Sequence, residues 1–140
     1  MRRLLIGTLL AGILGTGAEL LLLGHYETAF QMAPLVLLVL GLGAVLWQIA
    51  APRGASVRAL QLVATLFLAA GVVGVGLHYD GNAAFELEMY PQLRGVALVR
   101  ESLTGATPVL APGSMALLGL VAAAYTYGHP SLHPGGAGPF

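Results

Sequence analysis

With 140 residues, 57% of them apolar and only 9% charged, and a mean hydropathy of +0.84, the chain has too few polar side chains to coat a soluble globule of its size, which places it in a bilayer. Cysteine is absent, which excludes disulfides, thiolate metal sites and cysteine nucleophiles. The six basic side chains are all Arg, the formal net charge is zero, and no basic block suggests nucleic acid as a partner.

A transmembrane helix needs about 20 mainly apolar residues, and four stretches meet that requirement: approximately 4–24, 32–50, 57–77 and 108–127. The first follows Met1-Arg2-Arg3 and contains Thr16-Gly17-Ala18, which imitates the start and cleavage site of a signal peptide. Its apolar run continues through Leu20 to Leu23, so it is read as a span that stays. Gly7, Ala11 and Gly15, with Thr8, Gly12 and Thr16 one position on, form small-residue stripes that let a neighbouring helix approach closely. Glu19 lies within the span, where a carboxyl costs a few kcal/mol unless it is protonated, paired or facing water. It is the expected intramembrane functional carboxyl or a buried hydrogen-bonding group, with Thr65 or Gln61 as partners within the chain. The span closes on His25-Tyr26-Glu27.

The second stretch opens on Ala33-Pro34, where a first helical turn tolerates the missing N–H, and ends near Trp47, an interfacial anchor. Residues 51–56 form a turn, with Ser56 as N-cap of the third stretch. That stretch carries Gly71, Gly74 and Gly76, which thin the helix for packing or leave room for a bound group, and is expected to end at His78-Tyr79-Asp80. Asp80-Gly81-Asn82 then reads as a turn. In residues 86–110, Pro91 marks a break and Leu93, Val96, Ala97, Arg100 and Leu103 or Thr104 near helical spacing predict a short amphipathic helix lying on the membrane or capping the bundle. The fourth stretch reopens with Ala111-Pro112. The tail, 128–140, is rich in Pro and Gly and is expected to be a disordered cytoplasmic segment, its His129 and His133 solvated.

Two echoes organise these elements. His25-Tyr26-Glu27 returns as His78-Tyr79-Asp80, and Ala33-Pro34, Leu40-Gly41-Leu42 and Trp47 return as Ala111-Pro112, Leu118-Gly119-Leu120 and Tyr125. The expected architecture is an all-α integral membrane protein: one four-helix membrane domain over 1–127 from tandem duplication of a two-helix unit, with 1–50 as repeat one and 51–127 as repeat two, insertion 86–110 included. Arg2, Arg3, Arg53 and Arg58 fall on one side, whereas Glu27, Asp80, Glu86, Glu88 and Glu101 share the other with Arg94 and Arg100. The positive-inside bias makes both termini cytoplasmic, in a bacterial-type inner membrane, and both His-Tyr-acid motifs extracytoplasmic.

His25 and His78 then lie at matching depth at the outer face, one from each repeat. With carboxylates from Glu27, Asp80, Glu86 or Glu88 they would suit a zinc, iron, manganese or copper ion, or as a bis-histidine pair a haem. Each residue also has a purely structural explanation: His is favoured by a helix C-terminus, and Tyr by the interface. Phosphate loops, nucleophile elbows and zinc-protease helices are absent from the sequence, so binding is favoured over catalysis. Three functional classes follow: a membrane protein with an extracytoplasmic metal or haem; an accessory or assembly subunit of a membrane complex, or a homo-oligomer; and a small proton-coupled transporter using Glu19.

Overall fold

A computed structural model describes residues 1–132. They are all-helical: α1 (Arg2–Leu22), α2 (Ala29–Ala50), α3 (Gly54–Met89), α4 (Gly95–Leu103) and α5 (Gly113–Thr126), followed by a single 3-10 turn, Pro130–Leu132. Helices α1, α2 and α3 are long and apolar enough to cross a membrane. The fourth expected span is shorter than its sequence stretch, because residues 108–112 form turns and leave α5 only 14 residues, roughly 21 Å at 1.5 Å per residue.

Local chemistry sets the helix ends. Helix α1 stops at Gly24, whose φ of +65° is left-handed and suits a residue without a Cβ. There the N–H of His25 donates to Leu20 O at 2.9 Å and that of Gly24 to Leu21 O at 3.1 Å, the paired bonds of a Schellman cap. Helix α2 starts earlier than Ala33-Pro34 suggests, because Thr28 and Gln31 form a reciprocal capping box. The Thr28 hydroxyl accepts from the Gln31 N–H at 3.3 Å, and the Gln31 side chain accepts from the N–H groups of Thr28 and Glu27. Pro34 therefore lies inside the helix rather than in its first turn. Helix α3 begins at Gly54, and Ser56 is its third residue rather than its N-cap; the hydroxyl reaches back to accept the Arg53 N–H at 3.1 Å.

The largest departure from expectation is in α3. His78-Tyr79-Asp80 does not end it, and Asp80-Gly81-Asn82 is helical rather than a turn; the helix runs on to Met89, just short of Pro91. Its 36 residues span roughly 54 Å, well beyond a hydrocarbon core of about 30 Å. The two His-Tyr motifs thus differ locally, one following a helix terminus and the other lying within a helix.

Helices α1, α2, α3 and α5 pack in a closed ring, α1 on α2, α2 on α3, α3 on α5 and α5 on α1, with α3 against α5 the most extensive contact. Leu9 and Ile13 of α1, Leu38 and Val45 of α2, Leu60 and Phe67 of α3, and Leu118 and Ala122 of α5 fill the centre. In a bilayer such contacts are held by close van der Waals packing. Gly119 shows how close: a methyl there would sit 2.8 Å from Ala64 O and 2.9 Å from Leu68 N. Gly71 packs on Ala116 and Gly74 on Pro112, so both serve packing, whereas Gly76 faces open space. On α1 the Gly12 position meets Leu118, but Gly7, Ala11 and Gly15 are exposed, and a methyl at Gly7 or Gly15 would meet nothing within 4 Å among the described residues.

The first five residues of the expected tail are described. Residues 128–132 fold back on the bundle, and His129, expected to be solvated, is only 7% exposed. His133 and the rest of the predicted tail lie outside the described residues.

Candidate metal site at one end of the bundle

One face of α3 leads to the site. Gly71, Gly74, His78 and Asn82 recur at three- and four-residue spacing and so share a side of the helix. They meet the chain leading into α5 in reverse order: Ala116, Pro112, the Pro108 carbonyl and Thr107. Glycines permit contact where the partner is helix or Pro112. Polar side chains take over where the partner is irregular backbone, whose N–H and C=O groups need partners when buried.

His78 Nδ1 lies 3.0 Å from Pro108 O. A carbonyl only accepts, so Nδ1 carries the proton and the neutral ring keeps its lone pair on Nε2. His25 reaches the same place from the Schellman cap of α1. The two ring centroids are 6.4 Å apart with planes tilted by 58°, and both residues are half-buried. Residues 53 positions apart in sequence, His25 just beyond α1 and His78 within α3, thus come together at one end of the ring although the two helices do not pack extensively on each other.

The carboxylates do not complete a set with them. Glu27 and Asp80 are exposed and Glu86 is half-buried, and among the described residues no three His, Cys, Asp or Glu side chains gather closely enough to hold a metal ion. Asp80 is two residues from His78 on an unbroken helix, which turns it toward a different face.

Asn82, read from sequence as part of a turn, fixes the cap over this end. It is 4% exposed; its amide donates to Ser102 O at 2.9 Å and Thr107 O at 2.7 Å, and its carbonyl oxygen accepts the Thr107 N–H at 3.1 Å. These bonds hold both the end of α4 and the start of the segment leading to α5 on α3. The legible signal was its place four residues beyond His78, on the stripe begun by the glycines. The short helix expected in this stretch is present as α4; it buries Ser102 and leaves Val96, Val99 and Leu103 exposed on another side.

A second polar cluster closes the opposite end. Gln48, Ser56, Tyr125 and His129 are all buried, with Ser56 Oγ 2.6 Å from Gln48 Oε1, and the Gln48 amide 3.0 Å from Tyr125 Oη and 3.4 Å from His129 Nε2. Arg2 donates to the carbonyls of Tyr125 at 2.6 Å and Gly128 at 2.8 Å, which ties the start of α1 to the end of α5. His129 is held below the ordinary histidine range by burial first and by the nearby Arg2 charge second. The Arg53 guanidinium stacks over Trp47 at 5.2 Å. Sequence reasoning did not find this cluster, because nothing local joins residues 48 and 56 to residues 125 and 129.

Glu19 is exposed on α1, and its backbone carbonyl accepts the Leu23 N–H at 2.9 Å. Thr65 instead bonds to Gln61 O of its own helix at 3.1 Å. No protein-family model, no characterised protein and no solved structure matches the chain.

Proposed function

We propose that this chain is a multi-pass membrane protein, a four-transmembrane-helix bundle with both termini cytoplasmic, that binds a transition-metal ion at its extracytoplasmic face through His25 and His78. The tandem-duplication reading accounts for why both helices bring the same triplet to that face. The observation that carries the function is the 6.4 Å between ring centroids. With a metal–nitrogen bond of about 2 Å and each ring centre about 1 Å behind its nitrogen, two imidazoles facing each other across one ion have centroids about 6 Å apart. The His78 Nδ1–H bond to Pro108 O adds support, since ligating histidines usually donate their other N–H to a carbonyl or carboxylate. A haem, which takes two imidazoles on opposite sides of its iron, is the variant within this reading.

Elemental analysis and absorption spectra of the protein purified from metal-replete medium test the proposal. Wild type should carry about one equivalent of metal or haem, and His25→Ala and His78→Ala should each lose most of it while retaining helical circular dichroism. Equal metal content in wild type and the double variant would overturn it.

A second reading, an accessory subunit that docks a membrane partner, is favoured by α4. Its exposed Val96, Val99 and Leu103 form an apolar stripe on a helix that Asn82 holds in place. The same stripe suits the bilayer interface. The Glu19 carboxyl is exposed on α1 rather than enclosed in the bundle, where a proton path would run, so the transporter reading gains no support.

A further inference from the structure

Resting on the metal-site reading, we propose that the ion bound between His25 and His78 is monovalent copper, Cu(I), held by two nitrogens in a near-linear arrangement. Three observations bear on the choice. The 6.4 Å centroid separation fits imidazoles on opposite sides of an ion, whereas two corners of a tetrahedron would bring the centroids to about 5 Å. Among the described residues no third His, Cys, Asp or Glu side chain joins them. The Nδ1–H of His78 is engaged by Pro108 O, which leaves Nε2 as its donor atom toward an ion.

Zinc in proteins is almost always tetrahedral with three or four protein ligands, and iron, nickel and divalent copper also take four to six donors. A filled d shell and a single charge let Cu(I) remain stable with two collinear nitrogens. Charge points the same way. The penalty for taking an ion out of water grows with the square of its charge, so at a half-buried site with no anionic ligand a monovalent ion is penalised about four-fold less than a divalent one.

The test uses the full chain in detergent or nanodiscs under anaerobic conditions. Cu(I) is titrated in competition with the chromophoric chelator bicinchoninate, with Zn(II), Fe(II) and haem titrated in parallel, and the copper adduct is examined by X-ray absorption. One Cu(I) per chain with two nitrogen scatterers is expected, lost in His25→Ala and in His78→Ala. The wild-type absorption spectrum decides the coordination even if a variant fails to fold. A four-coordinate copper spectrum, or preferential retention of Zn(II), Fe(II) or haem in a histidine-dependent way, overturns the Cu(I) assignment and leaves the histidine site standing. Failure of the wild type to retain any of the four overturns both.

Discussion

At His129 the two ring nitrogens have separate duties. Nδ1 accepts the Ser131 N–H at 3.2 Å, so the proton of the neutral ring sits on Nε2, which faces the Gln48 amide at 3.4 Å. The oxygen and nitrogen of a glutamine amide exchange places by a half-turn. With the oxygen toward His129 and Tyr125, both donate to it, while the amide N–H groups reach the Ser56 hydroxyl. A second proton on the ring would point Nδ1–H at the Ser131 N–H and add a positive charge near Arg2. Tyr125 is the other titratable group facing the ring, at 5.4 Å between centroids, and Gln48 and Ser56 are uncharged. The folded state therefore resists protonation, in line with the lowered pKa. Above pH 6.5 the ring is neutral folded or unfolded; as pH falls below 6.5 the unfolded chain takes the proton first, and stability declines until the lower folded pKa is reached. Thermal unfolding in detergent from about pH 8 to about pH 5 should show this decline. His129→Gln should flatten it, and an identical slope in the variant would remove His129 as the cause. Sequence reading placed this histidine in solvent because Gly and Pro surround it. It could not show that Gly128, at φ +54°, turns the chain back to where Arg2 can hold it.

Between elements, the decisive contrast is that α1 stops at its His-Tyr motif while α3 continues past the equivalent one. Gly24 accounts for the stop, since the left-handed residue lets the two bonds of the Schellman cap close. Nothing comparable follows His78, and Asn82 takes a helical place because its polar atoms are satisfied by the cap rather than by its own backbone. Hydropathy correctly located α1, α2 and the apolar part of α3, because apolar length depends on composition alone. The α3 extension was missed for a physical reason: Asp-Gly-Asn has turn chemistry locally, and only long-range partners override it. Asn82→Ala leaves Ser102 O, Thr107 O and the Thr107 N–H without their partner, and should cost about 1–3 kcal/mol for the unpaired buried groups. Amide hydrogen exchange should accelerate across 95–107 while the α1 and α2 interior stays protected. Asn82→Asp should be worse than alanine at neutral pH, because a carboxylate oxygen would face two carbonyls. Unchanged exchange over the cap in both variants would show that Asn82 does not hold it.

For the molecule as a whole, the bundle has two chemically different ends joined by an apolar middle. Arg2, Arg53, Gln48, Tyr125 and His129 gather at one, and His25, His78, Asn82 and the α4 cap at the other. The sequence already implied this separation through its arginine distribution, since four arginines precede or join the ends of apolar runs on one side. What it could not convey is that α5 is only 14 residues long and that its approach through Pro108 lies against α3 at His78. If the end carrying Arg2 and Arg53 is cytoplasmic, the histidine pair faces outward. Because the natural chain has no cysteine, single-cysteine variants report topology without background. Val96 on α4 and Ala55 at the start of α3 are both exposed and lie toward opposite ends of that long helix. In intact cells a membrane-impermeant maleimide should label Val96→Cys and should reach Ala55→Cys only after permeabilisation. Labelling of both from outside would mean that α3 does not cross the bilayer. The reverse pattern would turn the molecule over and put His25 and His78 in the cytoplasm, where the proposed site would draw on a different metal pool.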